Sequence, residues 1–197
     1  MVKVVCIVCI VFLGVINPIL SQQSSQIQDF TLPNITNGSS FTLSEYRDAE
    51  AVVIIFTSLY CPYAKFYEDR ISRLIDGYSR SDVRFILINP NNPDKSTADA
   101  SANIVAETKR LGLKIPFLSD RSQEVANLLG ARKTPEAFVL VPKNNVFKVV
   151  YHGAIDDNPQ VEDDVKHPYL ASAINAIVQN RSVPVSSTTI TGCIIKR

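Results

Sequence analysis

The chain has 197 residues, with 20 Lys plus Arg against 19 Asp plus Glu and 46% hydrophobic residues. That length suits one domain with appendages and buries roughly two-thirds of the unfolded surface, so no disulfide framework is needed to fold it. A net charge of +1 gives no electrostatic case for nucleic acid, and 20% charged residues amid abundant Val, Ile and Leu exclude wholesale disorder.

Residues 1–21 open with Lys3 and a continuous apolar run from Val4 to Ile16, 13 residues long. A membrane span needs about 20 residues, whereas a signal-peptide core needs about 7–15. Asn17 and Pro18 interrupt the run, and a polar stretch follows. The expectation is a signal peptide over residues 1–21, cleaved after Ser21, on an exported protein (secreted, periplasmic or lumenal). The alternative is a short uncleaved anchor, which would confine membrane contact to that segment. Cys6 and Cys9 would leave with it, so the mature chain keeps Cys61 and Cys193, with its charges balanced. Sequons at Asn34, Asn37 and Asn180 matter only in a eukaryotic secretory pathway.

Residues 22–50 supply an N-terminal strand or hairpin around Phe30-Thr31-Leu32 and Phe41-Thr42-Leu43. Residues 51–56 are six apolar residues without alternation, the pattern of a strand buried on both faces. Tyr67, Ile71, Leu74, Ile75 and Tyr78 then recur as one stripe of a helix that ends near Gly77. Residues 83–88 read as a second buried strand, and residues 89–93 as a loop. An alanine-rich helix is expected over residues 97–111, closed by Gly112, then a short extended piece at 115–118. A short helix follows over 121–129, ended by Gly130. Strands at 136–141 and 146–151 form a hairpin, and a helix over 167–179 completes residues 22–181. The tail, residues 182–197, has no period.

Cys61 stands between the first buried strand and the first helix. Unpaired N–H groups and the macrodipole at a helix start favour a thiolate there. Pro62 suits the first helical position, having no N–H to lose. Position alone leaves two readings: a reactive thiol, or a buried cysteine packed as a small hydrophobe. Thr134-Pro135 enters the hairpin, and an ordinary strand-entry proline accounts for it unless the fold adds more. Cys61, His152, His167 and Cys193 match no zinc spacing, so no metal is expected. Asp156-Asp157 reads as a solvated turn.

An opening strand-helix-strand and a closing strand-strand-helix resemble the thioredoxin order, and that resemblance implies a cis proline at Thr134-Pro135 facing Cys61. The segment Ile54 to Lys65, around Tyr60-Cys61-Pro62-Tyr63, resembles the active-site segment of the redoxin branch of the thioredoxin superfamily. Gly112-Leu113-Lys114-Ile115-Pro116-Phe117, Gln123-Glu124-Val125-Ala126, Gly130-Ala131 and Thr134-Pro135-Glu136 continue the resemblance in register. Gly153-Ala154-Ile155-Asp156-Asp157-Asn158 and Gly192-Cys193-Ile194-Ile195-Lys196 resemble two further segments of a peroxiredoxin-like group of that branch. The resemblance covers about residues 28–197.

It implies an α/β, thioredoxin-like fold: a central mixed sheet, helices on both faces and a redoxin-type helical insertion. It also implies a redoxin, exported on the reading of residues 1–21, whose Cys61 attacks a disulfide or peroxide, with a thiol reductant as electron source and no cofactor. Pro135, after Thr134, would shape the surface on which a substrate backbone docks. The sequence departs from the dithiol pattern Cys-x-x-Cys, because the fourth position is Ala64. Cys193 then reads as a distant resolving thiol, a structural disulfide partner or a free exposed thiol. The competing functional reading is a binding module of this fold with an idle Cys61.

Overall fold

Residues 26–144 and 146–196 are described by the computed structural model. The signal segment and its cleavage point lie outside them. In chain order the strands and helices are β1 (Gln26–Ile27), β2 (Thr31–Pro33), β3 (Ser40–Thr42), β4 (Ala51–Phe56), α1 (Pro62–Gly77) and β5 (Val83–Asn89). They continue with α2 (Ser101–Arg110), β6 (Phe117–Ser119), α3 (Glu124–Leu129), β7 (Lys133–Thr134), β8 (Glu136–Lys143), β9 (Val146–Gly153), α4 (Tyr169–Val178) and β10 (Cys193–Ile194).

Six strands form one mixed sheet in the order β1-β9-β8-β4-β5-β6. Strand β4 is central, parallel to β5 and antiparallel to β8. Its unalternating sequence follows from two-sided burial. Val52, Ile54 and Phe56 face one core, and Ala51, Val53 and Ile55 face the other. The first core takes Val125 and Leu129 of α3 and Leu32 and Phe41 of the β2–β3 hairpin. The second takes Tyr67 and Ile71 of α1, Ile104 of α2, and Leu170 and Ile174 of α4. The chain therefore has the α/β, thioredoxin-like architecture, with cover on both faces of the sheet. Among the described residues, no helix is long and apolar enough to cross a membrane.

Three expected elements are shorter than their sequence patterns. The helix expected over 97–111 is broken: residues 97–99 form a 3-10 turn, Ala100 is extended, and α2 starts at Ser101. That turn aims the Asp99 carboxylate inward, where it collects hydrogen bonds. The helix expected from Arg121 begins at Glu124, because Gln123 is left-handed (φ 60°) and the Asp120 carboxylate accepts the N–H of Ala126 at 2.7 Å. Helix α4 starts at Tyr169 rather than at His167, after Pro168. The tail, patternless in sequence, is packed on the domain through β10, which pairs antiparallel with β7.

Candidate active site

Strand β4 ends at Phe56, and residues 57–60 carry the chain to the first turn of α1. Cys61 sits at the N-cap of α1 in an extended conformation, with Pro62 inside the first turn. Its residue is 1% exposed. Its side chain makes no capping bond to the helix, because its sulfur is engaged elsewhere. Cys61 is disulfide-bonded to Cys193, with Cα atoms 5.7 Å apart across 132 positions of sequence.

The second wall of the site is the turn before β8. The Thr134–Pro135 peptide is cis, and the Thr134 carbonyl oxygen lies 3.0 Å from Cys61 Sγ. The disulfide sulfur has no proton to donate, but a reduced Cys61 thiol can donate to that oxygen. That contact favours the protonated thiol, while the start of α1 favours the thiolate. Thr134 is also the register partner of Cys193. The structure thus brings Cys61, Thr134, Pro135 and Cys193 into one cluster.

The tail reaches this cluster through close backbone contact. A Cβ on Gly192 would lie 2.5 Å from the Thr134 carbonyl oxygen and 2.9 Å from its carbon. Glycine is what lets the two segments approach. Backbone bonds anchor both ends of the strap. His152 N–H donates to Ser186 O, Thr188 N–H to His152 O, and Ile195 N–H to Arg132 O. The Lys133 ammonium donates to Ile190 O at 2.9 Å, and Gln123 Nε2 donates to Lys196 O at 2.8 Å.

Two buried acids, missed by the sequence reading, hold the loops in place. Asp99 is 4% exposed and accepts from Ser58 Oγ, Leu59 N–H, Asn89 Nδ2, Asn91 Nδ2 and Ser96 Oγ at 2.6–3.1 Å. Two of those donors lie just before Cys61. Asn91 Oδ1 in turn accepts the Lys196 N–H at 2.8 Å, so one network ties the Cys61 loop to the tail. Glu136 accepts the N–H groups of Arg132 and Lys133 through Oε2 and pairs with His152 Nε2 at 2.6 Å through Oε1. It fixes the backbone leading into the cis peptide.

Asp156 is not part of a solvated turn. It is buried and takes Tyr67 Oη at 2.6 Å and Arg70 Nη1 at 2.8 Å. Burial and the neighbouring carboxylate push the Tyr67 phenol well above its ordinary range, so it stays the donor. A cavity of about 340 Å³ lies beside this pair, lined also by Pro135, Thr188 and Thr191. Asp157 is exposed, and its carboxylate accepts the N–H groups of Lys166 and His167.

Similarities to known proteins bear on this arrangement. The family model described as Redoxin matches residues 22–165. A curated thiol-disulfide oxidoreductase, ResA of Geobacillus thermodenitrificans, is 25% identical over 142 residues, covering 72% of this chain and 73% of its own. A hypothetical protein from Sinorhizobium meliloti superposes with a TM-score of 0.79 at 30% identity, covering 87% of this chain and 92% of that one. An uncharacterized conserved protein from Geobacillus kaustophilus does so at 0.79 and 31%, covering 87% and 90%.

Proposed function

This chain belongs to the Redoxin family, and on that premise we propose that it is a thiol–disulfide oxidoreductase whose redox couple is Cys61 and Cys193. The observation that carries the reading is the bond between a cysteine at a helix start and a cysteine on the tail. The 25% identical relative named as a thiol-disulfide oxidoreductase supports the same chemistry.

In the reduced protein the Cys61 thiolate attacks one sulfur of a substrate disulfide. A mixed disulfide forms, and the first substrate thiolate leaves. Cys193 then attacks Cys61 Sγ, the Cys61–Cys193 bond closes, and the second substrate thiolate leaves. Two electrons pass from the protein dithiol to the substrate. Ala64 cannot resolve the intermediate, and the tail thiol takes that place. Thr134 and Pro135 form the wall against which the substrate chain lies. A peroxide balances on the same couple: Cys61 becomes a sulfenic acid, and Cys193 condenses with it and releases water. A thiol reductant restores the dithiol in both cases.

We propose that the protein is exported, with residues 1–21 removed, a domain over 22–181 and a tail over 182–197. N-terminal sequencing of the protein from its native host should begin near Gln22; recovery of a chain starting at Met1 contradicts this.

The second reading is a fixed disulfide clamp with no turnover, favoured by the near-complete burial of Cys61. Steady-state reduction of a disulfide peptide, and separately of hydrogen peroxide, by dithiothreitol plus the protein separates the two. Catalysis should be lost in Cys61→Ser. In a single turnover of pre-reduced Cys193→Ser with no dithiothreitol present, the first attack should persist and the mixed disulfide should accumulate until thiol is added. Wild type no faster than the uncatalysed thiol selects the clamp.

A further inference from the structure

The two cysteines of the disulfide are not equally buried. Cys61 is 1% exposed, closed in between the Thr134 carbonyl and the first turn of α1. Cys193 is half-buried in a two-residue strand whose next residue, Ile194, is 78% exposed. Among the described residues strand β10 pairs only with β7, in a sheet of two strands. Exchange rates depend on which sulfur an incoming thiolate can reach and on how readily the other leaves.

We infer that an external thiol reduces this protein by attacking Sγ of Cys193, so that the reductant's mixed disulfide forms on the tail cysteine and Cys61 is the leaving group. This rests on the thiol-exchange reading above and assigns the two cysteines to different partners: Cys61 to substrate, Cys193 to reductant. The reductant sulfur bonds to Cys193 Sγ as the Cys61–Cys193 bond breaks, and Cys61 departs with the electron pair. A second reductant thiolate attacks the mixed disulfide, releasing the oxidised reductant and the Cys193 thiolate. Two reductant thiols supply the two electrons.

The choice of leaving group agrees with the choice of entry. Departure of Cys61 puts the new negative charge at the N-terminus of a 16-residue helix, where the aligned peptide dipoles favour it. Departure of Cys193 would put that charge on a strand. The leaving sulfur also retains its S–H acceptor, the Thr134 carbonyl, once it picks up a proton.

The test uses the oxidised full chain and glutathione, with rapid acid quenching, alkylation by N-ethylmaleimide and peptide mapping. Glutathione should be found on Cys193 and N-ethylmaleimide on Cys61, at least tenfold over the reverse pattern. Glutathione on Cys61, or equally on both, overturns this inference and leaves the exchange reading standing. A bond that resists glutathione in the folded protein but is reduced once the protein is unfolded in urea overturns both.

Discussion

Asp99 carries the largest share of the site's buried polar bonding, and its loss should be felt as instability. Asp99→Ala leaves five donors without their acceptor, two of them in the loop before Cys61. Each buried unsatisfied group costs about 1–3 kcal/mol, with relaxation and water recovering part, so a loss of about 3 kcal/mol is expected in urea unfolding. A loss under 1 kcal/mol would mean the network is not formed. Gly192→Ala tests the tail contact. The new methyl meets Thr134 backbone atoms, and overpacking of about 1–3 kcal/mol in the strapped state makes the disulfide easier to reduce. That corresponds to a midpoint about 20–60 mV more positive. Cys61-Pro62 is legible in sequence because a helix start has its own residue chemistry. Asp99 is not, since one acid in an alanine-rich stretch has no periodic signature and its donors lie up to 41 positions away. Glu136 hides for a similar reason, its carboxylate turning back to the two N–H groups just before the cis peptide.

At the scale of elements, helices α1 and α2 meet through an ionisable cluster. Arg110 of α2 donates to Glu68 of α1 at 2.8 Å and to Glu107 at 2.6 Å. Burial, then the hydrogen bond and charge of Glu107, push the Glu68 carboxyl up to about 7. Glu107 is held below its usual range by the Arg110 bond. Between about pH 4.5 and 7 the folded state therefore binds more protons at Glu68 than the unfolded chain does. Stability at this contact falls as pH rises through that window. Unfolding measured from pH 4.5 to 8 should show that decline, and Glu68→Gln should flatten it; an unchanged slope in the variant contradicts the assignment. Strands β4 and β5 are legible because residues buried on both faces leave unbroken apolar runs. The β2–β3 hairpin is legible through Leu32 and Phe41, which face each other in register. Helix α2 is misread at its start because alanine-rich composition does not mark the break at Ala100. Strand β10 is invisible because two residues cannot show a period, and its pairing depends on Gly192 and on the covalent bond beside it.

Across the whole molecule the disulfide joins the middle of the chain to its end. It closes a loop of 132 positions, for which chain entropy gives about 5 kcal/mol of stabilisation, less whatever order the unfolded chain retains. Reduction should lower the unfolding free energy by about 2–5 kcal/mol, read from paired denaturant curves of oxidised and reduced protein. Reduced protein as stable as oxidised would mean that the bond constrains nothing in the unfolded state. Both the clamp and the exchange couple predict this loss, so stability alone does not choose between them. The equilibrium of the bond with a thiol pool does. A couple that turns over must be reducible by its partners, whereas structural disulfides typically hold below about −300 mV. The direct measurement is a redox titration of the folded protein in thiol–disulfide buffers, with the Cys61–Cys193 bond counted by alkylation and mass. The exchange account predicts a two-electron midpoint between about −120 and −270 mV, the range of proteins that exchange disulfides. A bond that remains closed in folded protein below about −300 mV would contradict it.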